Sequence, residues 1–302
     1  MHRRLQQTLQ RSATLSGIGF LTGADVRIRF LPAEENCGVA FQRLDLPGTA
    51  PVAACLENVV SGQRRTVIAQ DGVAVMMIEH VMAALAGLQI DNCLVQLNAP
   101  EPPGFDGSAQ PIVDALLQAG IAKQGAPRKL LRIRKRVSVA GTPGEAGIVA
   151  EPGAEPVGSD DPVESTLRIT YELDYGPESP VPHQTASVWI TPDAFLNELA
   201  FARTFVLESE VAALRAQGFG LRLTARDLLV FGPQGVIDNR LRAPNECARH
   251  KILDCVGDFA LIGCDLIGTV NARRSGHQLN HDLARRLRET HQTHCDLATE
   301  AA

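Results

Sequence analysis

The stretch that decides the reading is ARHKILDCVGDFALIG, residues 248–263. Its spacing predicts one helix that closes at Gly263. Between Ile252 and Gly263 the only charges are Asp254 and Asp258, four and eight residues after His250. With His250 at the zero of a helical wheel, Asp254 falls near about 40°, Asp258 near about 80° and Lys251 near about 100°. Ile252, Val256, Phe259 and Ala260 take the other side. A histidine and an aspartate one turn apart can reach a single ion, which is how helices present metal ligands. The plain alternative is a solvated face on which Lys251 pairs with Asp254.

A catalytic zinc takes three protein ligands and keeps one position open. His80, in IEH at the start of an apolar helix, is the candidate for the third ligand. Its neighbour Glu79 points about 100° away around that helix and would reach a water on the metal. The alternative is a polar first turn in which Glu79 only complements the helix dipole. In RRSGH, residues 273–277, His277 is read at the end of a strand, as a candidate general acid, with two arginines that could meet a phosphate. Two rival metal sites read less well. His277 and His281 are four apart, but His281 is placed in a charged, exposed helix. His291, His294 and Cys295 sit in a tail expected to fray. In RKLLRIRKR, 128–136, basic and apolar residues alternate, as in a strand with one solvated face.

The remaining chain supplies a frame for this site. There are 302 residues, 45% hydrophobic and 21% charged, with net charge −5 and a pI near 5.9. That length supports one to two domains. The acidic balance and 4% aromatic content argue against a nucleic-acid partner. No apolar run approaches the roughly 20 residues of a membrane span. The basic N-terminus lacks the apolar core and cleavage site of a signal peptide. Seven scattered cysteines without C-x-x-C fit reduced thiols in a cytoplasm. Residues 4–60 alternate as short strands. Helices are predicted at 76–88 and 108–121, and a linker at 122–129. A strand follows at 129–140, then a long acidic loop over 141–165. Strands are read in STLRITYELDY and TASVWIT, then a helix capped by Thr191 with Pro192 at its first position. A strand-rich insert over 219–240, the opening helix, the strand DLIGTVNARRSGH and a last helix at 278–290 complete the pass. Strand runs followed by helices predict an α+β fold.

Five segments, IEHVMAALAGLQIDN, PEPPGFDGSAQP, FARTF, RHKILDCVGD and RSGHQLN, occur in an order and spacing that resemble a known family. They look like the UDP-3-O-acyl-N-acetylglucosamine deacetylases, zinc enzymes that commit Gram-negative bacteria to lipid A synthesis. The resemblance covers roughly residues 5–290. It implies two domains of similar β-α-α-β topology, 1–125 and 126–302, with helices packed between two outward-facing sheets and a small insert in each. It implies that Zn2+ is held by His80, His250 and Asp254, a His₂Asp site that iron(II) also suits. Glu79 matches the general base, His277 the residue that protonates the leaving amine, and Asp258 the carboxylate that orients it. Thr204 and Lys251 match the oxyanion-stabilising groups, Lys251 also contacting substrate. Phe205 would pack against the sugar and Tyr175 against the nucleotide. The implied partner is a UDP-linked acylated glucosamine, met by a cytoplasmic monomer. Four segments depart from the family's pattern. GIGFLTG has Leu21 in place of a histidine, and GFGLRLT has Arg222 and Leu223 in place of a glycine pair near the acyl passage. Met77 replaces a threonine, and QRRTVIA differs from the usual segment. These departures keep open a paralogue with another N-acylated substrate, or a non-catalytic sugar-nucleotide or lipid binder.

Overall fold

The computed structural model describes residues 4–141, 146–153 and 167–300, and of residues 291–300 only the backbone. Strand Asp25–Pro32 shows how the first half is built. Val26, Ile28 and Phe30 are buried while Asp25, Arg27 and Arg29 are exposed, so one face of the sheet meets the core and the other meets water. The sheet runs Ala13–Ile18, Asp25–Pro32, Cys93–Leu97, Val39–Arg43, Val52–Ala53 in space. Its last strand in sequence, Cys93–Leu97, is central: antiparallel to Asp25–Pro32 and parallel to Val39–Arg43. A parallel return needs a crossover. Here it carries a small sheet (Val59–Val60, Val67–Gln70, Val73–Met76) and helix α1, Glu79–Gly87. Helix α2, Gln110–Ala119, follows.

The second half repeats this order. Its sheet runs Val137–Ala140, Gly147–Glu151, Asp265–Arg273, Leu167–Leu173, Gln184–Trp189, with Leu130–Arg132 beside the start of Asp265–Arg273. Again the last strand is central and parallel to the third. The crossover carries strand Phe205–Leu207, helix α3 (Glu208–Ala216), strands Leu229–Gly232 and Gly235–Val236, and then helix α4, Glu246–Ala260. Helix α5, His277–Glu300, follows. The α+β class therefore holds, and the two main sheets share one strand order.

Four local expectations are corrected. The segment 122–129 is not a tether: Ile121–Pro127 is a strand paired antiparallel with Leu5–Leu9. Within the predicted acidic loop, Gly147–Glu151 is a strand whose Ile148 and Ala150 are buried; residues 142–145 and 154–165 lie outside the described residues. The insert begins earlier than 219 and includes α3. The strand read over 129–140 is two, Leu130–Arg132 and Val137–Ala140. The cap at Thr191 is as read: its hydroxyl accepts from the Ala194 amide at 3.1 Å.

α1 packs on α4, and α4 on strands Leu167–Leu173 and Gln184–Trp189. Residues 252–259 of α4 are buried without interruption, so the helix has no solvent face there. The two helices approach so closely that a Cβ on Gly257 would lie 2.2 Å from the Glu79 carbonyl oxygen. Only glycine fits that crossing without parting the two helices. Elsewhere, Arg4 donates to both Asp91 and Asp265 at 2.7–2.8 Å, tying the N-terminal strand to both halves.

Candidate active site

Met77 takes a left-handed backbone, φ 60°, between strand Val73–Met76 and α1, and the turn brings Glu79 and His80 into a cleft. The cleft has a volume of about 490 Å³. Glu79, His80, His250, Lys251, Asp254 and His277 line it, with Tyr175, Thr204, Phe205, Arg64 and Arg274. A separate cavity of about 190 Å³ beside Arg4, Asp91 and Asp265 includes none of these groups.

One ligand atom from each of His80, His250 and Asp254 lies within 4.8 Å of the others. His80 Nε2 is 3.7 Å and His250 Nε2 3.5 Å from Asp254 Oδ1. The two imidazoles meet edge to face, 5.0 Å between centroids. His250 Nδ1 is 3.1 Å from the Ala202 carbonyl oxygen, so that nitrogen carries the proton and Nε2 keeps a lone pair for a cation. Asp254 Oδ1 is buried and has no hydrogen-bond partner among the described residues. An orphaned carboxylate oxygen facing two imidazole nitrogens fits a divalent metal, since a buried polar atom left without a partner is otherwise costly. Lys251 does pair with Asp254, at 2.6 Å from Oδ2, as the plain reading of the sequence had it. The pair lies in the cleft, however, with Asp254 buried and Lys251 half-buried, and does not form a solvated face.

The charge states are divided by environment. Burial, with His250 next, pushes the His80 pKa down to about 3, and burial also lowers His250, so both stay neutral as ligands must. Burial raises the Glu79 carboxyl to about 7, Asp254 adding to it against the opposing pull of His277. Burial disfavours the charged form of His277, yet Asp258 at 2.8 Å outweighs it, with Asp254 and Glu79 beyond, and lifts the imidazolium to about 9. Burial works against Asp254 too, but Lys251 and His250 hold its pKa well below the usual carboxylate range. Lys251, in turn, is held charged by Asp254 despite burial. A base near 7 beside an acid near 9 is the arrangement expected where a proton is taken at one point and delivered at another. Their atoms are close: His277 Nε2 is 4.0 Å from Glu79 Oε1 and 4.0 Å from Asp254 Oδ2.

Of the ten residues to which the resemblance gives a site role, the cleft gathers all but Asp258, which lies fully buried behind His277; Arg273, the first of the two arginines read before His277, does not line the cleft. Thr204 is pinned by its backbone, donating to Gly107 O at 2.8 Å and accepting from Leu229 N at 3.0 Å. Phe205 stands edge to face with Tyr175 at 5.9 Å. His281 is corrected: it is 3% exposed, with Nε2 3.1 Å from Asp258 Oδ1. His277 opens α5 and does not end a strand, so positions 277, 280 and 281 share one helical face that packs on Asp258. The pair therefore shares a carboxylate, not a metal. The side chains of His291, His294 and Cys295 lie outside the described residues. Thr66, Asn280, and the Arg274–Asp174 pair at 2.8 Å were not read from sequence. The 277/280/281 spacing was a usable signal, whereas Thr66 opens a short strand region and reaches Asp258 from 192 positions away. Among the departures, Leu21 N donates to Glu101 at 3.0 Å, and Arg222 donates to Gly23 O at 2.7 Å and Asp25 at 2.9 Å, joining the insert to the first half. Leu223 closes a turn on Gly220.

The profile of the family described as UDP-3-O-acyl N-acetylglycosamine deacetylase matches residues 6–289. The UDP-3-O-acyl-N-acetylglucosamine deacetylase of Geobacter sp. (strain M21) is 38% identical over 283 residues, 93% of this chain and 88% of that one. Its counterpart in Marinobacter nauticus is 34% identical over 287 residues, 94% and 90% of the two chains. A bifunctional LpxC/FabZ enzyme of Chlorobaculum tepidum is 35% identical over 311 residues, covering 94% of this chain and 64% of its own. With the match running through both halves and every element that carries the cleft, this chain belongs to the UDP-3-O-acyl-N-acetylglucosamine deacetylase family.

Proposed function

We propose that this chain is a zinc-dependent hydrolase that removes the N-acetyl group from a UDP-linked 3-O-acyl-N-acetylglucosamine in lipid A synthesis. The observation that carries the reading is the orphaned Asp254 Oδ1 between His80 and His250, flanked by a base and an acid of split pKa. A zinc ion held by His80, His250 and Asp254 would lower the pKa of a water to about 7 and polarise the amide carbonyl. Glu79 takes the proton of the attacking water as it adds to the amide carbon. Lys251, held cationic beside Asp254, and Thr204 meet the resulting oxyanion; losing one such donor typically costs about 3–4 kcal/mol. The C–N bond breaks as His277 delivers its Nε2 proton to the amine, giving acetate and a free amino sugar. Phe205 and Tyr175 form an apolar wall for the sugar and nucleotide. Arg274 and Arg64 supply positive charge for the diphosphate.

On this reading the halves are two domains, 1–125 and 126–302, the first supplying Glu79 and His80 and the second His250, Asp254 and His277. Among the described residues no helix is long and apolar enough to cross a membrane, and the six described cysteines are unpaired. A monomer working in the cytoplasm is part of the same proposal. The test combines metal analysis with acetate release from the acylated UDP-sugar in one preparation. The reading expects about one metal per chain and turnover; a fully metal-loaded chain that releases no acetate rejects it.

A further inference from the structure

Asp258 is wholly buried, and both of its oxygens are filled. Oδ2 is 2.8 Å from His277 Nδ1 and 2.8 Å from Asn280 Nδ2. Oδ1 is 2.5 Å from the Thr66 hydroxyl and 3.1 Å from His281 Nε2. Three of these four donors come from one face of α5. Thr66 comes from the other half of the chain. It is 1% exposed, and its hydroxyl also lies 3.2 Å from His277 Nδ1 and 3.1 Å from His281 Nε2. Its backbone reaches the base: the Thr66 amide donates to Glu79 Oε2 at 3.1 Å. One residue thus touches the carboxylate, the imidazole behind the acid, and the base.

We propose that Thr66, seconded by His281, is a positioning residue that sets the general acid in register with the general base across the two halves. It rests on the roles proposed above for Glu79 and His277. Four donors on one carboxylate leave Asp258 a single orientation. With Oδ1 taken by Thr66 and His281, Oδ2 faces His277 Nδ1. That fixes the Nδ1 proton toward Asp258 and turns Nε2 toward the cleft. The amide of the same residue holds one Glu79 oxygen, so the other faces His277 across 4.0 Å. A residue that merely filled space would need its shape; this role needs its hydroxyl.

Thr66→Val keeps the shape and removes the hydroxyl, and Thr66→Ser restores it. In zinc-loaded protein, Thr66→Val is expected to lower kcat by at least about tenfold, as for a lost hydrogen bond to a charged group. KM and zinc content should stay within about twofold, and Thr66→Ser should recover kcat to within about threefold. In a His277→Ala background the valine substitution should cost less than about twofold, because Thr66 acts through His277. Histidine ¹⁵N spectra give a readout free of turnover: the His277 and His281 signals should move in Thr66→Val while the distant His183 signal stays. A valine variant with full kcat and unmoved His277 signals overturns the proposal, as does a serine variant as slow as valine. Wild-type protein without turnover would reject the proposed function instead, and the spectra would then decide the positioning role.

Discussion

Replacing Gly257 with alanine tests whether the crossing of α1 and α4 sets the active-site geometry. The added Cβ would sit 2.2 Å from Glu79 O, 3.0 Å from Glu79 C and 3.2 Å from Ala83 N. Carbon and carbonyl oxygen normally come no closer than about 3.3 Å, so the helices must part by roughly 1 Å. The obstacle is backbone on both sides, and no rotamer relieves it. Overpacking of this kind costs about 1–3 kcal/mol, and alanine's better helix propensity offsets up to about 1 kcal/mol of it. The variant should fold, with a stability loss near or below about 2 kcal/mol. Activity should suffer far more. α1 carries Glu79 and His80 and α4 carries His250 and Asp254, and a misplacement near 1 Å costs on the order of 100-fold in rate. Urea denaturation and kcat/KM of the zinc-loaded variant measure the two effects separately. A variant with wild-type kcat/KM, or one more stable than wild type, would refute the argument.

Other expectations follow from the same geometry. In the proposed roles, Glu79, with its pKa near 7, acts only when ionised and His277, near 9, only when protonated. The kcat/KM profile should therefore rise through about pH 7 and fall above about 9; a profile with one limb would contradict this. Asp258→Asn removes the charge that raises His277, so the descending limb should shift to lower pH and narrow the bell; an unmoved limb would break that link. Asp254→Ala and His80→Ala should drop zinc content well below one per chain, whereas Glu79→Gln should keep its zinc and lose most turnover. Metal analysis beside acetate release separates these outcomes.

Much of this was legible in the sequence because it is written in helical spacing. His250, Asp254 and Asp258 fall on one stripe of a single helix, and Glu79 and His80 open another. The alternation of Asp25–Pro32 declares its sheet. What local patterns lack is burial and long-range contact. Lys251 beside Asp254 reads as a surface pair, and only the packing of α1 and the second sheet around α4 makes it interior. His281 sits among charges in sequence, yet the face it shares with His277 and Asn280 turns inward onto Asp258. Thr66 has no local signature at all, since its partners lie 13, 192, 211 and 215 positions away. The strand Gly147–Glu151 was hidden by its Pro-, Gly- and acid-rich flanks, although Ile148 and Ala150 alternate inward.

The most direct measurement is anomalous diffraction at the zinc edge from crystals of the zinc-loaded protein. It should give one strong peak within about 2.0–2.2 Å of His80 Nε2, His250 Nε2 and an Asp254 oxygen. A peak elsewhere, or none while these three side chains stand ordered and apart, would contradict the claim that both halves of the chain grip one cation.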